Sequence, residues 1–281
     1  ILNEKKILFS RIKYLTDFFS KIDLFKFIFF IFNKNINPFK STQFNEFIKK
    51  NKKQWCTSNT KKKEKKDIVL FENFISHVAY TSNNILTTKY LQSLKNCNAH
   101  GFLRKGDIKG EIISRSFGID TFYFYSTGGL YNRCKYICKS ILLLKNIKNI
   151  KSLINLKIKK IDIGFLAYDS FMRFTGYHTA EKINFRIILS FADALMAMDF
   201  YNKNFKNLKI SHFVQAEKNF VPLGIFFQMF LLNRTQIYSK FGPNLITLRN
   251  YTNFDQRHFG KRTISKKFFK KVFNNYKRES I

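Results

Sequence analysis

A doubly wound α/β domain with a mostly parallel sheet is the fold this sequence predicts, and three observations predict it. From residue 67 onward, short apolar or β-branched runs alternate with amphipathic stretches of helix length. The strand–helix–strand unit spans roughly thirty residues, long enough for parallel strands joined by right-handed crossovers. Only 3 Pro and 11 Gly occur in 281 residues, too few for a Gly-rich all-β or linker-like chain.

The chain opens with a basic, aromatic extension, residues 1–57, read as helical. Within 7–32, Leu8, Ile12, Leu15, Phe19 and Ile22 recur among Lys and Arg, followed by the apolar run 27–32. This fits an amphipathic helix, either lying on an anionic membrane surface or packed on the next domain. Asp17 and Asp23 interrupt the pattern, so it does not read as a secretory signal. The run 27–32 falls far short of the ~20 residues of a membrane span. Residues 58–66 form a charged linker, and the folded domain occupies 67–260. A basic tail, 261–281, follows.

Inside the domain, 67–71 (DIVLF) reads as a strand, 72–82 as a polar loop carrying His77, and 83–94 as a helix. A weaker strand at 98–103 and a short helix at 108–116 precede 119–125 (IDTFYFY), whose β-branched and aromatic content marks a strand. Ser126, Thr127, Gly128 and Gly129 turn the chain into a helix over 130–144. Leu130, Tyr131, Cys134, Ile137, Cys138 and Ile141 share one face of it. With no CxxC pairing, Cys134 and Cys138 read as core thiols of a reducing compartment rather than zinc ligands. Residues 154–163 alternate and read as extended, and 165–174 as helical. The longest helix, 181–205, carries a stripe of Ile183, Ile187, Leu195, Met198 and Phe205. A strand at 208–214, a helix at 221–232 and a strand at 235–238 complete the pattern.

The charge points to an anionic partner. Lys and Arg number 51 against 18 Asp and Glu, a formal +33. Nucleic acid and an anionic membrane surface are the two classes that such a balance favours. Part of the excess Lys, like the 35 Phe, matches the codon bias of an A/T-rich genome.

In an open parallel sheet, ligands bind beyond the carboxyl ends of the strands. Position alone therefore selects Glu72 and His77 after the first strand, and Gly128 and Gly129 before the helix over 130–144. It also selects His212 and Glu217 around the end of the 208–214 strand, and Lys240 after 235–238. The glycines serve either an anion at a helix N-terminus or the geometry of the turn. His212 oriented by Glu217 is a candidate general base, or else a strand histidine with a structural partner. Asp169 and Arg173, four apart on a helix, fit a local ion pair. No GxGxxG, Walker, GxSxG or HExxH pattern occurs, so neither metal nor cofactor is expected.

Three segments resemble the bacterial capsule and lipopolysaccharide glycosyltransferase-like proteins of surface-carbohydrate biosynthesis. They are SRSFGIDTFYFY (114–125), IDIGFLAYDSFMRF (161–174) and the stretch from LKISHFVQAEKNF (208–220) through QIYSK (236–240) to ITLRNYTN (246–253). DIVLFENFISH (67–77) fits the first strand and loop of that family more loosely. Phe165 departs from an acidic residue in the family pattern, and Phe220 from a Tyr. The resemblance implies the N-terminal, acceptor-side half of a GT-B architecture built from two Rossmann-like halves. It implies a nucleotide sugar as donor substrate and a lipid-linked or glycan acceptor at the inner face of the cytoplasmic membrane. His212, Glu72, His77 and Asp169 would then supply the base. Lys240 and Arg249 would meet the diphosphate, and Gly128, Gly129, Arg173 and Glu217 the substrates. The Ile at position 1 and the lack of a second half after 260 mark the chain, on this reading, as a piece of a longer protein. The alternative is a basic nucleic-acid-binding protein, such as an organellar ribosomal protein, and a third reading is a non-catalytic remnant.

Overall fold

The computed structural model describes residues 41–56, 67–75, 77–176, 179–241 and 247–258. The amphipathic stretch within 7–32, the charged linker and the basic tail lie outside them. The described residues form an α/β domain with a six-stranded, mostly parallel sheet in the order β3-β2-β1-β4-β5-β6. The strands are β1 (Ile68–Asn73), β2 (Asn98–Arg104), β3 (Phe122–Tyr125), β4 (Ile210–Gln215), β5 (Gln236–Phe241) and β6 (Thr247–Tyr251). Eight helices are described: α1 (Thr42–Trp55), α2 (Val78–Lys95), α3 (Ile108–Ser116), α4 (Leu130–Leu144), α5 (Ile150–Ile154), α6 (Ile163–Thr175), α7 (Phe185–Asn204) and α8 (Leu223–Leu232).

The order reverses between β1 and β4. β1 pairs parallel with β2 on one side and β4 on the other, and this outward winding in two directions defines a Rossmann-like sheet. Val69, Leu70 and Phe71 are fully buried, as expected where helices cover both faces of a parallel sheet. Leu70 joins Phe102 and Phe213 in the larger core, whereas Val69 and Phe71 join Ile85, Ile113 and Val214 on the opposite face.

The abundant Phe fills the larger core. Phe102 packs edge-on against Phe226 at 4.8 Å and Phe205 at 5.0 Å, and Phe213 lies 4.4 Å from Phe230. α8 is apolar all round, and every residue from Leu223 to Leu231 is buried, which requires neighbours on all sides. Its one polar side chain, Gln228, accepts a hydrogen bond from the Asp162 backbone N–H at 2.9 Å. The Asp162 carboxylate receives Arg257 Nε at 2.8 Å, with Lys157 and His258 each at 3.4 Å. Burial alone would raise this carboxyl, but the Arg257 hydrogen bond and the surrounding cations hold it below its usual range. This cluster ties the 3-10 turn Phe254–His258 to the start of α6.

Several boundaries differ from the sequence reading. β1 runs on to Asn73 and α2 starts at Val78, so the expected polar loop over 72–82 shrinks to a few residues. Residues 154–163 are not an extended strand: α5 ends at Ile154, and Ile158 and Ile161 form an isolated bridge across a tight turn. Alternation there arises from two short packed segments. The sheet gains an edge strand that the sequence pattern did not reveal, because β6 is antiparallel to β5. α1 packs against α3 and the following turn, with Phe47 and Trp55 at 6.2 and 5.9 Å from Phe117.

α4 is the largest departure. Cys134 and Cys138 are exposed rather than core thiols. The helix instead buries Arg133, Ser140 and Leu144, and Arg133 is ion-paired with Asp193 of α7. Its polar side faces the protein because α7 offers it Asp193 and Asp199.

Gly164, within the IDIG segment, sits where a Cβ would lie 1.8 Å from the Leu153 carbonyl oxygen. α6 can approach the end of α5 only because that position lacks a side chain. Gly164→Ala should therefore lower stability by roughly 1–3 kcal/mol or more, read as a shifted urea midpoint with an unchanged m value.

Candidate active site

The carboxyl ends of β1 and β4 mark the topological switch point, where open α/β sheets bind ligands. β1 delivers Glu72 and Asn73 there, and β4 delivers Gln215 followed by Glu217 and Lys218. Strand alternation sends Glu72 to the same face as Leu70 and Asn73 to the opposite face.

Glu72 has no solvent exposure. Its Oε1 accepts the Phe74 backbone N–H at 2.9 Å, and Oε2 accepts that of Ala216 at 3.3 Å. The Tyr80 hydroxyl lies 3.5 and 3.3 Å from the two oxygens. Burial pushes the carboxyl up to about 7, against these hydrogen bonds and the charge of Arg104, which favour its ionised form. Burial and the neighbouring Glu72 push the Tyr80 phenol up in turn. Tyr80 itself is only partly buried.

Asn73 is fixed just as firmly. Thr81 Oγ1 donates to its Oδ1 at 2.7 Å, and its Nδ2 donates to Asp107 at 3.1 Å. Asn84 Nδ2 donates to the Glu72 backbone carbonyl at 2.8 Å. Gln215 is fully buried; its Nε2 donates to the Leu223 carbonyl at 2.9 Å, while its Oε1 has no hydrogen-bond partner among the described residues. Of the next residues, Glu217 is half-buried and Lys218 buried. Glu217 Oε1 accepts the Lys218 and Asn219 N–H groups at 2.9 and 3.0 Å. The Lys218 ammonium lies 4.6 Å from the Tyr251 ring centroid and donates to the Arg257 carbonyl.

The structure gathers some of the expected residues and separates others. Glu72 sits at the switch point, and His77 is an exposed residue just before α2 at the same edge. Arg173 approaches Glu217 at 3.9 Å and stacks 4.3 Å from the Phe220 ring, joining the end of α6 to the loop after β4. Asp169 lies one turn earlier on α6, half-buried. Gly128 and Gly129 lead into α4 beyond β3, and Gly128 has φ +75°. A cavity of about 250 Å³ opens beside Gly128, lined also by Lys135, Tyr136, Asp199 and Lys203. Lys240 and Arg249 belong to the β5–β6 pair, opposite Leu248 and Ser239 respectively. Lys240 is thus inside a strand and not in a loop after it.

His212 is not at a strand end. It lies mid-strand, paired with Val69 and Gln236, three residues short of the level of Glu72 along β1. At about 3.3 Å per residue that is roughly 10 Å, and His212 shares the Val214 face while Glu72 shares the Leu70 face. The ring is 8% exposed, contacts Ser211 Oγ at 2.8 Å through Nδ1 and stacks on Tyr238. Burial, and the charge of Lys95, lower its pKa. Glu217 does not orient it. His212 is a neutral histidine inside the sheet, away from the switch point.

Tyr80, Asn84 and Asn73 had no motif to mark them, and Gln215 only its place after the 208–214 strand. The one available signal was the Glu–Asn pair that closes the apolar run IVLFEN, because two polar residues at the buried end of a central strand demand partners. No group of three His, Cys, Asp or Glu side chains among the described residues is placed to hold a metal ion, and none of their helices is long and apolar enough to cross a membrane. Compared with protein-family models, with curated proteins and with solved structures, the chain matches none.

The raised pKa of Glu72 makes a definite pH prediction. The folded state binds this proton more tightly than the unfolded chain, whose Glu titrates near 4.5. The stabilisation is complete below 4.5 and is lost as pH rises to about 7. At about 1.4 kcal/mol per pH unit the loss is roughly 3 kcal/mol. Denaturation of Glu72→Gln across pH 4.5–8 should lack that slope; a variant that keeps the wild-type slope would assign it to another group.

Proposed function

We propose that this domain is the acceptor-side half of a GT-B-type glycosyltransferase, with Glu72 as the general base. The observation that carries the reading is a buried carboxyl near pKa 7 at the switch point of a Rossmann-like sheet. A base poised close to neutral pH is what activation of an acceptor hydroxyl requires. The three segments that resemble the surface-carbohydrate family also support it. They supply β3, α6 with Arg173 in its last turn, and the β4–α8–β5–β6 unit, and the last two meet at Glu217 and Phe220.

In this mechanism the acceptor hydroxyl gives its proton to the Glu72 carboxylate, through the Tyr80 hydroxyl. The acceptor oxygen bonds to the anomeric carbon of the donor sugar. The bond from that carbon to the diphosphate breaks, and nucleoside diphosphate leaves with the electron pair. Arg249 and Lys240 on the edge hairpin are the cations for the leaving group, and a nucleotide-sugar-binding half supplies the donor. The basic surface suits an enzyme working at the inner face of the cytoplasmic membrane.

The test is sugar transfer by the protein encoded in the full reading frame, with lipid-linked acceptors and a panel of nucleotide sugars. Glu72→Gln should lower kcat about 10²- to 10⁴-fold with little change in KM, and should remove the acid limb of the pH–rate profile. His212→Ala should remain close to wild type. Undiminished transfer by Glu72→Gln would overturn the assignment of the base. Absence of transfer from every donor, with RNA binding that weakens steeply as salt rises, would replace the reading by nucleic-acid binding.

A further inference from the structure

The outward face of α4 is apolar. Leu130, Tyr131, Ile141 and Leu142 are 52%, 82%, 46% and 71% exposed, and Cys134 and Cys138 are exposed between them. At 100° per residue these six side chains fall within a stripe about 120° wide. Lys135 and Lys139, both exposed, lie along one border of the stripe. The polar side of the helix is already used, by Arg133 with Asp193 and by Ser140. α4 is therefore amphipathic with its apolar side turned to solvent, the reverse of a helix that serves only the core.

The segment from α4 to the turn before α6 carries charge of one sign, with Asp199 of α7 beside Lys135. Residues 130–161 contain Lys135, Lys139, Lys145, Lys148, Lys151, Lys157, Lys159 and Lys160, and not one Asp or Glu. An apolar stripe bordered by lysines is what an anionic lipid surface selects: the side chains enter the acyl boundary while the ammonium groups meet lipid phosphates. The same lysines disfavour the other occupants of this chemistry. A second copy docked through α4 would bring two lysine-only segments together, and residues 1–40 are themselves net cationic, with 8 Lys and Arg against 3 acidic residues. A polynucleotide would use the lysines but gains nothing from Leu130, Ile141 and Leu142.

We infer that α4 is a membrane-docking helix, which seats the domain on anionic lipid through its Leu130–Leu142 stripe. This inference is independent of the glycosyl-transfer reading.

The test is sedimentation of the 281-residue protein with phosphatidylcholine vesicles, with and without phosphatidylglycerol. Ile141→Asn/Leu142→Asn should weaken partitioning to the anionic vesicles by roughly tenfold or more, and these positions are exposed enough for the fold to persist, as circular dichroism would verify. Lys135→Glu/Lys139→Glu should weaken it by a similar factor and reduce its salt dependence. An environment-sensitive label on Cys134 in a Cys56→Ser/Cys138→Ser background should shift to the blue on anionic vesicles. Unchanged partitioning of both double variants would overturn the inference and leave binding to other parts of the chain. A loss of dimer on sizing, with vesicle binding intact, would overturn it in favour of a second copy.

Discussion

A carboxyl group enclosed in protein must be either neutral or surrounded by donors, and Glu72 is held close to the balance between the two. Two backbone N–H groups, from the turns after β1 and after β4, and the Tyr80 hydroxyl converge on it. These contacts join the two central strands at the point where their connections part in opposite directions. Asn73 does the same on the other face through Thr81 and Asp107, and Asp107 also caps α3 through the Gly110 N–H. The carboxyl end of the sheet is thus organised by two adjacent polar side chains of one strand. Neither is exposed to solvent, and both take a partner from the first turn of α2, Tyr80 for Glu72 and Thr81 for Asn73.

The Phe content takes on structural meaning in this frame. Whatever genomic bias supplied it, Phe102, Phe205, Phe213, Phe226 and Phe230 form one interlocked core whose ring contacts cross four elements. Edge-to-face pairs of this kind add about 0.5–1.5 kcal/mol each beyond their area. That gives the fold a strong apolar anchor on one face of the sheet. The α4–α7 contact, by comparison, relies on Arg133–Asp193 and on the Tyr136–Asp199 hydrogen bond, so α4 can leave its apolar side outside.

The fold was legible in the sequence where a run has a single physical cause. α3 and α4 match their expected spans to the residue, and β1, β2, β4 and β5 lie where apolar runs occur, because parallel central strands must be apolar on both faces. β6 escaped notice because TLRNY carries no alternation that would set it apart from loop, and only pairing with β5 makes it a strand. The site was legible by position and not by residue type. Glu72 was visible as the residue after an apolar run, whereas His212, the more familiar catalytic side chain, lies inside the sheet. Tyr80, seven residues beyond the end of β1, becomes a neighbour of Glu72 only through the first turns of α2. The orientation of α4 was misjudged because an apolar stripe in a sequence shows that a helix has two faces, not which one is turned inward.

Among the described residues the sheet ends on one side at β3, which is only four residues long. Its outer edge pairs with no other described strand, and its sequence FYFY is rich in the side chains that favour strand pairing. Two features keep that edge from acting as a template. So short a strand offers an incoming chain few hydrogen bonds. The Arg115 guanidinium, held by Glu111 at 2.8 Å, also lies over the Phe122 ring at 4.9 Å and covers part of that edge. Brevity and the Arg115 cover make this aromatic border a poor template, so that an edge suited by composition to endless growth offers an incoming chain little to extend.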